Sequence, residues 1–186
     1  MDIMKLYMIL LGSKPKGRNT EQHDVFFGIA SSLEELYPEL ICFWPEAKGL
    51  HIDAWREVNF IDGYKIKVET REIKKNNSSS SESRLFFINL GGYQEFKFEE
   101  QHYAVLTVQP DKGSAIKKAK DTLFFQKNGL KKAPSHVDDK YGIDVDDIYQ
   151  MEDILIPSHK AKYQIFLLPH NIQEEDPIHL GYTVIN

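Results

Sequence analysis

Four short stretches of the sequence pair a histidine with a carboxylate. Two of them, Glu21-Gln22-His23 and Glu100-Gln101-His102, place a glutamate two residues before a histidine. The other two, His51-Ile52-Asp53 and His136-Val137-Asp138, place an aspartate two residues after one. Residues two apart on a β-strand share a face, so each pair would bring an imidazole and a carboxylate side by side. On neighbouring strands, such pairs could converge into a site for zinc, manganese or non-haem iron.

The same side chains allow two other interpretations. A carboxylate that orients an imidazole could serve as a general acid and base pair. More simply, Glu21 could hold His23 by a charge-assisted hydrogen bond and fix the start of a strand. The sequence has no His-Glu-x-x-His, paired-cysteine or Gly-x-Ser-x-Gly pattern to support catalysis, so we favour this structural lock. It predicts that Glu21 and His23 are at least partly buried beside Val25 and Phe27, touching each other or one shared partner.

The recurrence of these stretches indicates a tandem duplication. Leu6–Gly12 aligns with Leu85–Gly91 at an offset of 79 residues, and the two Glu-Gln-His tripeptides have the same offset. The His-x-Asp pairs align at an offset of 85, as do Asp62-Gly63-Tyr64 and Asp147-Ile148-Tyr149. The change of offset predicts a six-residue loop insertion within 127–135.

Hydrophobic periodicity predicts the order β-β-α-β-β for each repeat. Short apolar runs and alternating patterns indicate strands, and Leu33, Leu36, Tyr37 and Leu40 have helical spacing. Pro38 should kink or interrupt that helix. After the helices, the predicted extended segments are 50–58 and 61–70 in the first repeat and 136–143 and 146–156 in the second. We therefore predict an α+β fold with predominantly antiparallel sheets and one main helix per repeat.

Composition sets the predicted boundaries. Repeat one covers 1–73, a polar and flexible linker covers 74–84, and repeat two covers 85–156. The remaining residues, 157–186, contain two further strands, Tyr163–Leu168 and His179–Ile185. We expect these strands to pack on the repeats and close an exposed sheet edge.

The same residues carry a family resemblance. An aliphatic strand ending in Leu11-Gly12, then 21–28, Phe43-Trp44-Pro45 and 51–58, resembles the bacterial family catalogued as domain of unknown function 1543. The resemblance covers most of residues 5 to 155 and implies one or two copies of the domain per chain. It implies no activity, so it assigns no catalytic residues. The second repeat departs from the pattern at Lys140, where the first has Trp55.

The overall composition limits the possible partners. A net charge of −5 disfavours nucleic acid, which usually requires a basic face. The basic loop 14–20 lacks the spacing of a phosphate-binding loop, so we predict a solvated loop. The only cysteine, Cys42, lies in an apolar run and is predicted to be a buried, inert thiol. The first apolar run is too short for a signal peptide or membrane span, which indicates a cytoplasmic protein.

These observations predict a binding or interaction protein without an identifiable reaction. A small ligand in a groove between the repeats would suit that role. The alternative is a metal-dependent hydrolase, or a related small-molecule enzyme, that uses the histidine and carboxylate pairs.

Overall fold

The computed structural model describes residues 3–71, 82–93, 96–121, 143–171 and 174–185. The chain divides into two compact units, the first formed by 1–76 with 155–186 and the second by 77–154. Within these ranges all strand pairings are antiparallel and the helices are short, so the predicted α+β class with mostly antiparallel sheets is confirmed. No described helix is both long and apolar enough to cross a membrane.

The strands and helices of the first unit are β1 (Lys5–Ser13), β2 (Gln22–Ala30), a 3₁₀ turn (Glu34–Leu36), α1 (Tyr37–Phe43), β3 (His51–Glu57), β4 (Phe60–Ile61), β5 (Tyr64–Thr70), α4 (Pro157–Lys162), β9 (Tyr163–Pro169) and β10 (His179–Val184). Those of the second unit are β6 (Arg84–Tyr93), β7 (Glu100–Gln109), α2 (Lys112–Lys120), β8 (Ile143–Gln150) and α3 (Met151–Ile154).

The main sheet of the first unit has the strand order β10-β3-β1-β2. Alternate residues of β1 face α1 and the 3₁₀ turn, since side chains two apart on a strand share a face. This side of the sheet forms the main core, which consists of Tyr7, Ile9, Leu11, Phe26, Ala30, Leu36, Leu40, Leu50, Ile52 and Ile185.

Strand β2 is buried on both faces over its second half. Phe26 and Ala30 join the main core, while Phe27 and Ile29 are each 3% exposed on the opposite face. At the edge of this strand the Ile29 backbone N–H donates to His159 Nδ1 at 3.2 Å, which ties α4 to β2. Apolar residues of β2 are therefore buried on both faces of the sheet.

The helical stretch that contains Pro38 divides into the 3₁₀ turn and α1. The proline lies in the first turn of the helix, where its missing N–H has no intrahelical partner to lose. Leu36 and Leu40, four residues apart, are buried. Cys42 lies on the outer side of this helix and is exposed, so the prediction of a buried thiol was wrong. An apolar neighbourhood in sequence did not determine which side of a short helix the thiol occupies.

The C-terminal strands complete two sheets of the first unit. Strand β10 lies at the edge beside β3, and β9 pairs with β5 in the sheet β4-β5-β9. Asp62 and Gly63 form the tight turn between β4 and β5, with φ of 49° and 77°. Both residues adopt the left-handed conformation that a two-residue Asp-Gly hairpin requires.

The second unit contains the sheet β7-β6-β8 with α2 packed on it. Asp111 caps α2 by accepting a hydrogen bond from Ser114 N at 2.8 Å, and Ala115 and Ala119 are buried in the core of this unit. The strand predicted over 146–156 ends at Gln150, and Met151–Ile154 is helical. Most of the predicted linker and of the predicted segment 136–143 lies outside the described residues.

Candidate metal site

Strand register places two of the predicted histidines on either side of Gly12. In β1, Gly12 pairs with His23 of β2 on one side and with His51 of β3 on the other. Residues directly opposite one another share a face, so the three form a row across the sheet, on the face opposite the main core. A Cβ atom at Gly12 would collide with His51 Nε2 and Asp53 Oδ2. Glycine is thus what leaves space for these groups.

A β-bulge leaves Asp53 without a directly opposite residue in β1. Leu11 pairs with Ile52 and Leu10 pairs with Ala54, so Asp53 is the extra residue in β3. Bulges re-aim side chains and recur beside functional sites. Asp53 shares the face of His51, two residues before it, and its carboxylate lies beside both histidines.

The four predicted side chains of the first unit form a continuous row of contacts. Glu21 Oε1 lies 2.8 Å from His51 Nε2, and Asp53 Oδ1 lies 3.3 Å from the same nitrogen. The other oxygen of Asp53, Oδ2, lies 3.3 Å from His23 Nε2. The partners of Glu21 and His23 are two different residues of β3, on the other side of the middle strand β1, so the predicted pairing of Glu21 with His23, directly or through one shared partner, was wrong.

Exposure also weakens the structural lock. The side chains of Glu21 and His23 are 43% and 47% exposed. A carboxylate that is nearly half exposed keeps much of its hydration and does not need a cationic partner to remain ionised. At this exposure, an ion pair between Glu21 and His23 would contribute little to the free energy of folding.

His51 is the buried centre of the cluster. Its side chain is 4% exposed, and the ring of Tyr182 from β10 packs against it with centroids 4.1 Å apart. His51 Nδ1 lies 2.8 Å from Gly49 O, and a carbonyl only accepts, so Nδ1 carries a proton. In the neutral ring, Nε2 is then an unprotonated lone pair directed at carboxylate oxygens.

Two buried atoms of this cluster lack a hydrogen bond. His51 Nε2 and Asp53 Oδ2 make none of regular geometry to any described residue, although ionisable neighbours lie within 3.3 Å. Lone pairs that face one another in a buried place repel unless a cation lies between them. A second proton on the imidazole or a metal ion would each supply that positive charge.

The second unit repeats the construction around Gly91. This glycine pairs with His102 of β7, and a bulge between Asn89 and Leu90 leaves Asp146 as the extra residue of β8. A Cβ at Gly91 would collide with the Asp146 carboxylate. His102 Nε2 lies 3.5 Å from Asp146 Oδ2 and 3.8 Å from Glu100 Oε2. Within the described ranges, Glu100, His102 and Asp146 can offer ligand atoms that all lie within 4.8 Å of one another.

The predicted partners of this second site, His136 and Asp138, lie outside the described residues. Register instead places Asp144 opposite Gly91, where the first unit has His51 opposite Gly12. Sequence reasoning missed Asp146. The signal was present as Asp144-Val145-Asp146, which has the same two-residue spacing as the His-x-Asp pairs.

The alignment at offset 85 fails for its second block. Asp62 lies in the β4–β5 turn, whereas Asp147 lies within β8 and pairs with Asn89. By register, Asp146 corresponds to Asp53 at an offset of 93 residues. A three-residue match in polar sequence was too short to fix the alignment after a long connection.

Comparisons with known proteins address the fold and the family. Residues 18–68 match the model of the family described as Domain of Unknown Function (DUF1543), which supports the resemblance for this part of the chain. No curated protein matches the sequence. The crystal structure of the protein Il1583 from Idiomarina loihiensis is similar, with a TM-score of 0.65 and 22% identity over 98% of this chain and 99% of that one. At this identity the likeness shows a shared fold.

Proposed function

We propose that this protein binds divalent transition-metal ions, with one site in each unit. The buried Nε2 of His51 carries the proposal, because it lies within 3.3 Å of carboxylate oxygens from Glu21 and Asp53 and has no regular hydrogen bond among the described residues. A metal ion would convert these opposed lone pairs into ligands of one centre. Imidazole and carboxylate together suit zinc, manganese and non-haem iron.

The first unit offers firmly supported candidate ligands. The backbone carbonyl of Gly49 fixes the His51 tautomer that leaves Nε2 free to bind metal, as outer partners of metal-bound histidines commonly do. Glu21 and Asp53 would supply oxygen ligands, and His23 lies beside the second oxygen of Asp53. Their ligand atoms do not all lie within 4.8 Å of one another, as those of the second unit do, so metal binding would have to draw these side chains closer together. A set of three or four protein ligands leaves coordination positions open to water or to a ligand.

The second unit offers a more exposed but more convergent set. His102 is 53% exposed and corresponds by register to His23, and Glu100 and Asp146 complete the triad. Exposed ligands keep their hydration and their rotamer freedom until the metal binds, and both must then be given up. We therefore expect the two sites to bind the same metals with different affinities.

A duplication of the whole sheet would account for two such sites. In both units the middle strand, β1 or β6, lies between the strand that follows it and a third strand, and a glycine of the middle strand lies opposite a histidine and beside a bulge. The equivalent glycines, the histidines opposite them and the positions in the middle strands where the register shifts are all 79 residues apart. This supports a tandem copy of the DUF1543-like domain, extended in the first unit by the C-terminal strands. We place the protein in the cytoplasm, consistent with its single cysteine.

Tag-free protein tests the proposal through metal content and thermal stability. Zinc or manganese at about 100 times the dissociation constant should raise the unfolding free energy by roughly 2.7 kcal/mol. The variant His51→Ala should lose the first site and most of this gain. His179→Ala is the matched control, because this histidine packs on Trp55 and is not one of the four site residues.

A protonated, metal-free cluster gives a different pattern. His51→Ala would then lower stability equally with and without metal, and wild-type protein would neither retain ions after dialysis nor melt higher when they are added. That pattern would assign the cluster around His51 a purely structural role and refute the metal site. The open coordination positions make metal-dependent hydrolysis the second candidate function. Metal-dependent hydrolytic activity that is lost in His51→Ala and kept in His179→Ala would support it.

A further inference from the structure

Strand β10 forms one edge of the main sheet in the first unit. It pairs with β3 on its inner side, and no other described strand pairs with its outer side. All of its residues, His179–Val184, are exposed. The backbone N–H and C=O groups that point away from β3 are thus available to a further strand.

Large apolar side chains line this edge as a stripe, and they are exposed by 63%, 82%, 66% and 46% at Ile178, Leu180, Tyr182 and Val184. Val184 lies opposite His51, and the ring of Tyr182 packs on the same histidine, so both lie on the face of the candidate metal site. Leu180 shares this face, because it lies opposite Ala54, which lies opposite Leu10, two residues before the glycine of that site. The strand therefore presents an open backbone edge and an apolar stripe together.

The edge carries few of the features that keep sheet edges apart. Natural proteins guard such edges with lysines, other charges, prolines, bulges or a covering helix. The residues of β10, His-Leu-Gly-Tyr-Thr-Val, include no lysine, acidic residue or proline, although a bulge lies between Leu180 and Thr183. At the other edge of this sheet, the Ile29 N–H of β2 donates to His159 of α4. Helix α4 thus occupies part of the β2 edge, whereas β10 is exposed over its whole length.

We propose that β10 pairs antiparallel with β10 of a second copy of this chain, about a two-fold axis perpendicular to the sheet. Such an axis lets the same surface serve both copies. Directly opposite residues of an antiparallel pair share a face, so the two apolar stripes meet. With Gly181 at the axis, Leu180 faces Tyr182 of the second copy and Ile178 faces Val184 of the second copy. The two main sheets then form one continuous sheet.

Charge favours this edge as the place where two copies meet. Each chain has a net charge of −5, so two copies repel over much of their surfaces. The only titratable side chains of β10 are those of His179 and Tyr182, and His179 is stacked on Trp55 of its own chain with centroids 4.0 Å apart. Self-pairing therefore brings no carboxylates of the strand together.

The buried area sets the expected strength of the dimer. Burial of the stripe would remove roughly 300–400 Å² of apolar surface per copy from water. Both copies together bury less than the roughly 1,200 Å² of a standard specific interface, which is typical of weak and reversible complexes. We expect a concentration-dependent dimer with a dissociation constant of roughly 10–100 µM.

Sedimentation velocity of the full chain tests the pairing, with a chelator present so that metal ions cannot bridge two copies. The sedimentation coefficient should rise from the monomer towards the dimer value between about 1 µM and 1 mM. Leu180→Lys places a charge within the stripe of each copy and should weaken dimerisation at least about tenfold, as should Ile178→Lys. Leu168→Lys on β9 is the matched control, because this leucine is 42% exposed and lies outside the stripe. It should dimerise like the wild type.

Amide hydrogen exchange locates the contact. Exchange within 178–185 should slow as the protein concentration rises, because outward N–H groups gain carbonyl partners. Wild-type protein that stays monomeric at about 1 mM would refute the proposal, as would a dimer whose added protection lies outside 178–185. Equal weakening by Leu180→Lys and Leu168→Lys would also refute it, because the effect would then follow net charge. The chelator makes each of these outcomes independent of the proposed metal sites.

Discussion

The variant Gly12→Ala tests whether the space beside His51 and Asp53 that glycine leaves is required for metal binding. A Cβ at this position would collide with His51 Nε2 and Asp53 Oδ2. The imidazole cannot simply swing away, because it is buried against Tyr182 and anchored to Gly49 O. We expect the variant to displace the ring or the aspartate and thereby to separate the metal ligands of the first unit.

The structure sets the size of the effect. Adding a methyl group to a filled site typically costs about 1–3 kcal/mol in stability, and Gly12 lies opposite two strand partners that limit relaxation. Loss of the first metal should also remove the ion-dependent stabilisation of roughly 2.7 kcal/mol at 100 times the dissociation constant. Metal-free protein should therefore melt a few degrees lower, and the gap should widen when metal is added.

Gly91→Ala provides the matched comparison in the second unit. Its Cβ would collide with the Asp146 carboxylate, so the second metal should be lost while the first is retained. Calorimetric titration with manganese and thermal melts of both variants measure this. The reasoning is refuted if Gly12→Ala binds metal with wild-type stoichiometry and affinity, or if either glycine variant abolishes both sites while its fold remains intact.

Two further predictions concern the rest of the first unit. Burial lowers the pKa of His159 below its ordinary value of 6.5, and its Nδ1 accepts from Ile29 N, so the neutral ring is the folded form. As pH falls, the unfolded chain takes up a proton on His159 at a higher pH than the folded chain does, so the free energy of unfolding should decrease below pH 6.5. Urea melts should show a smaller decrease in the variant His159→Gln. Burial raises the pKa of Glu39 above 4.5, so this carboxyl acts in the opposite sense as pH rises through that region. Asp176→Ala should lower stability by about 1–3 kcal/mol in the same assay, because it orphans the N–H groups of Asn59 and Phe60, and an unchanged midpoint would contradict this.

Much of the local organisation follows from sequence. A short apolar run predicted β1, alternating apolar residues predicted β2, Pro38 predicted a break in the helical stretch, and two further strands were predicted near β9 and β10. These features depend on near neighbours along the chain, where periodicity and backbone restrictions act directly. The residue types of the site were evident for the same reason, since a spacing of two on a strand is a local property.

Tertiary structure decided which of those residues meet. Pairing across the sheet joined Glu21 to His51 rather than to His23, and bulges left Asp53 and Asp146 without directly opposite residues, so that their carboxylates lie beside histidines. The exposed position of Cys42 likewise depended on which side of a short helix faces the sheet. Sequence determined that imidazole and carboxylate lie side by side. Register and burial determined that His51 Nε2 is buried without a regular hydrogen bond to any described residue, because those properties belong to contacts between distant segments.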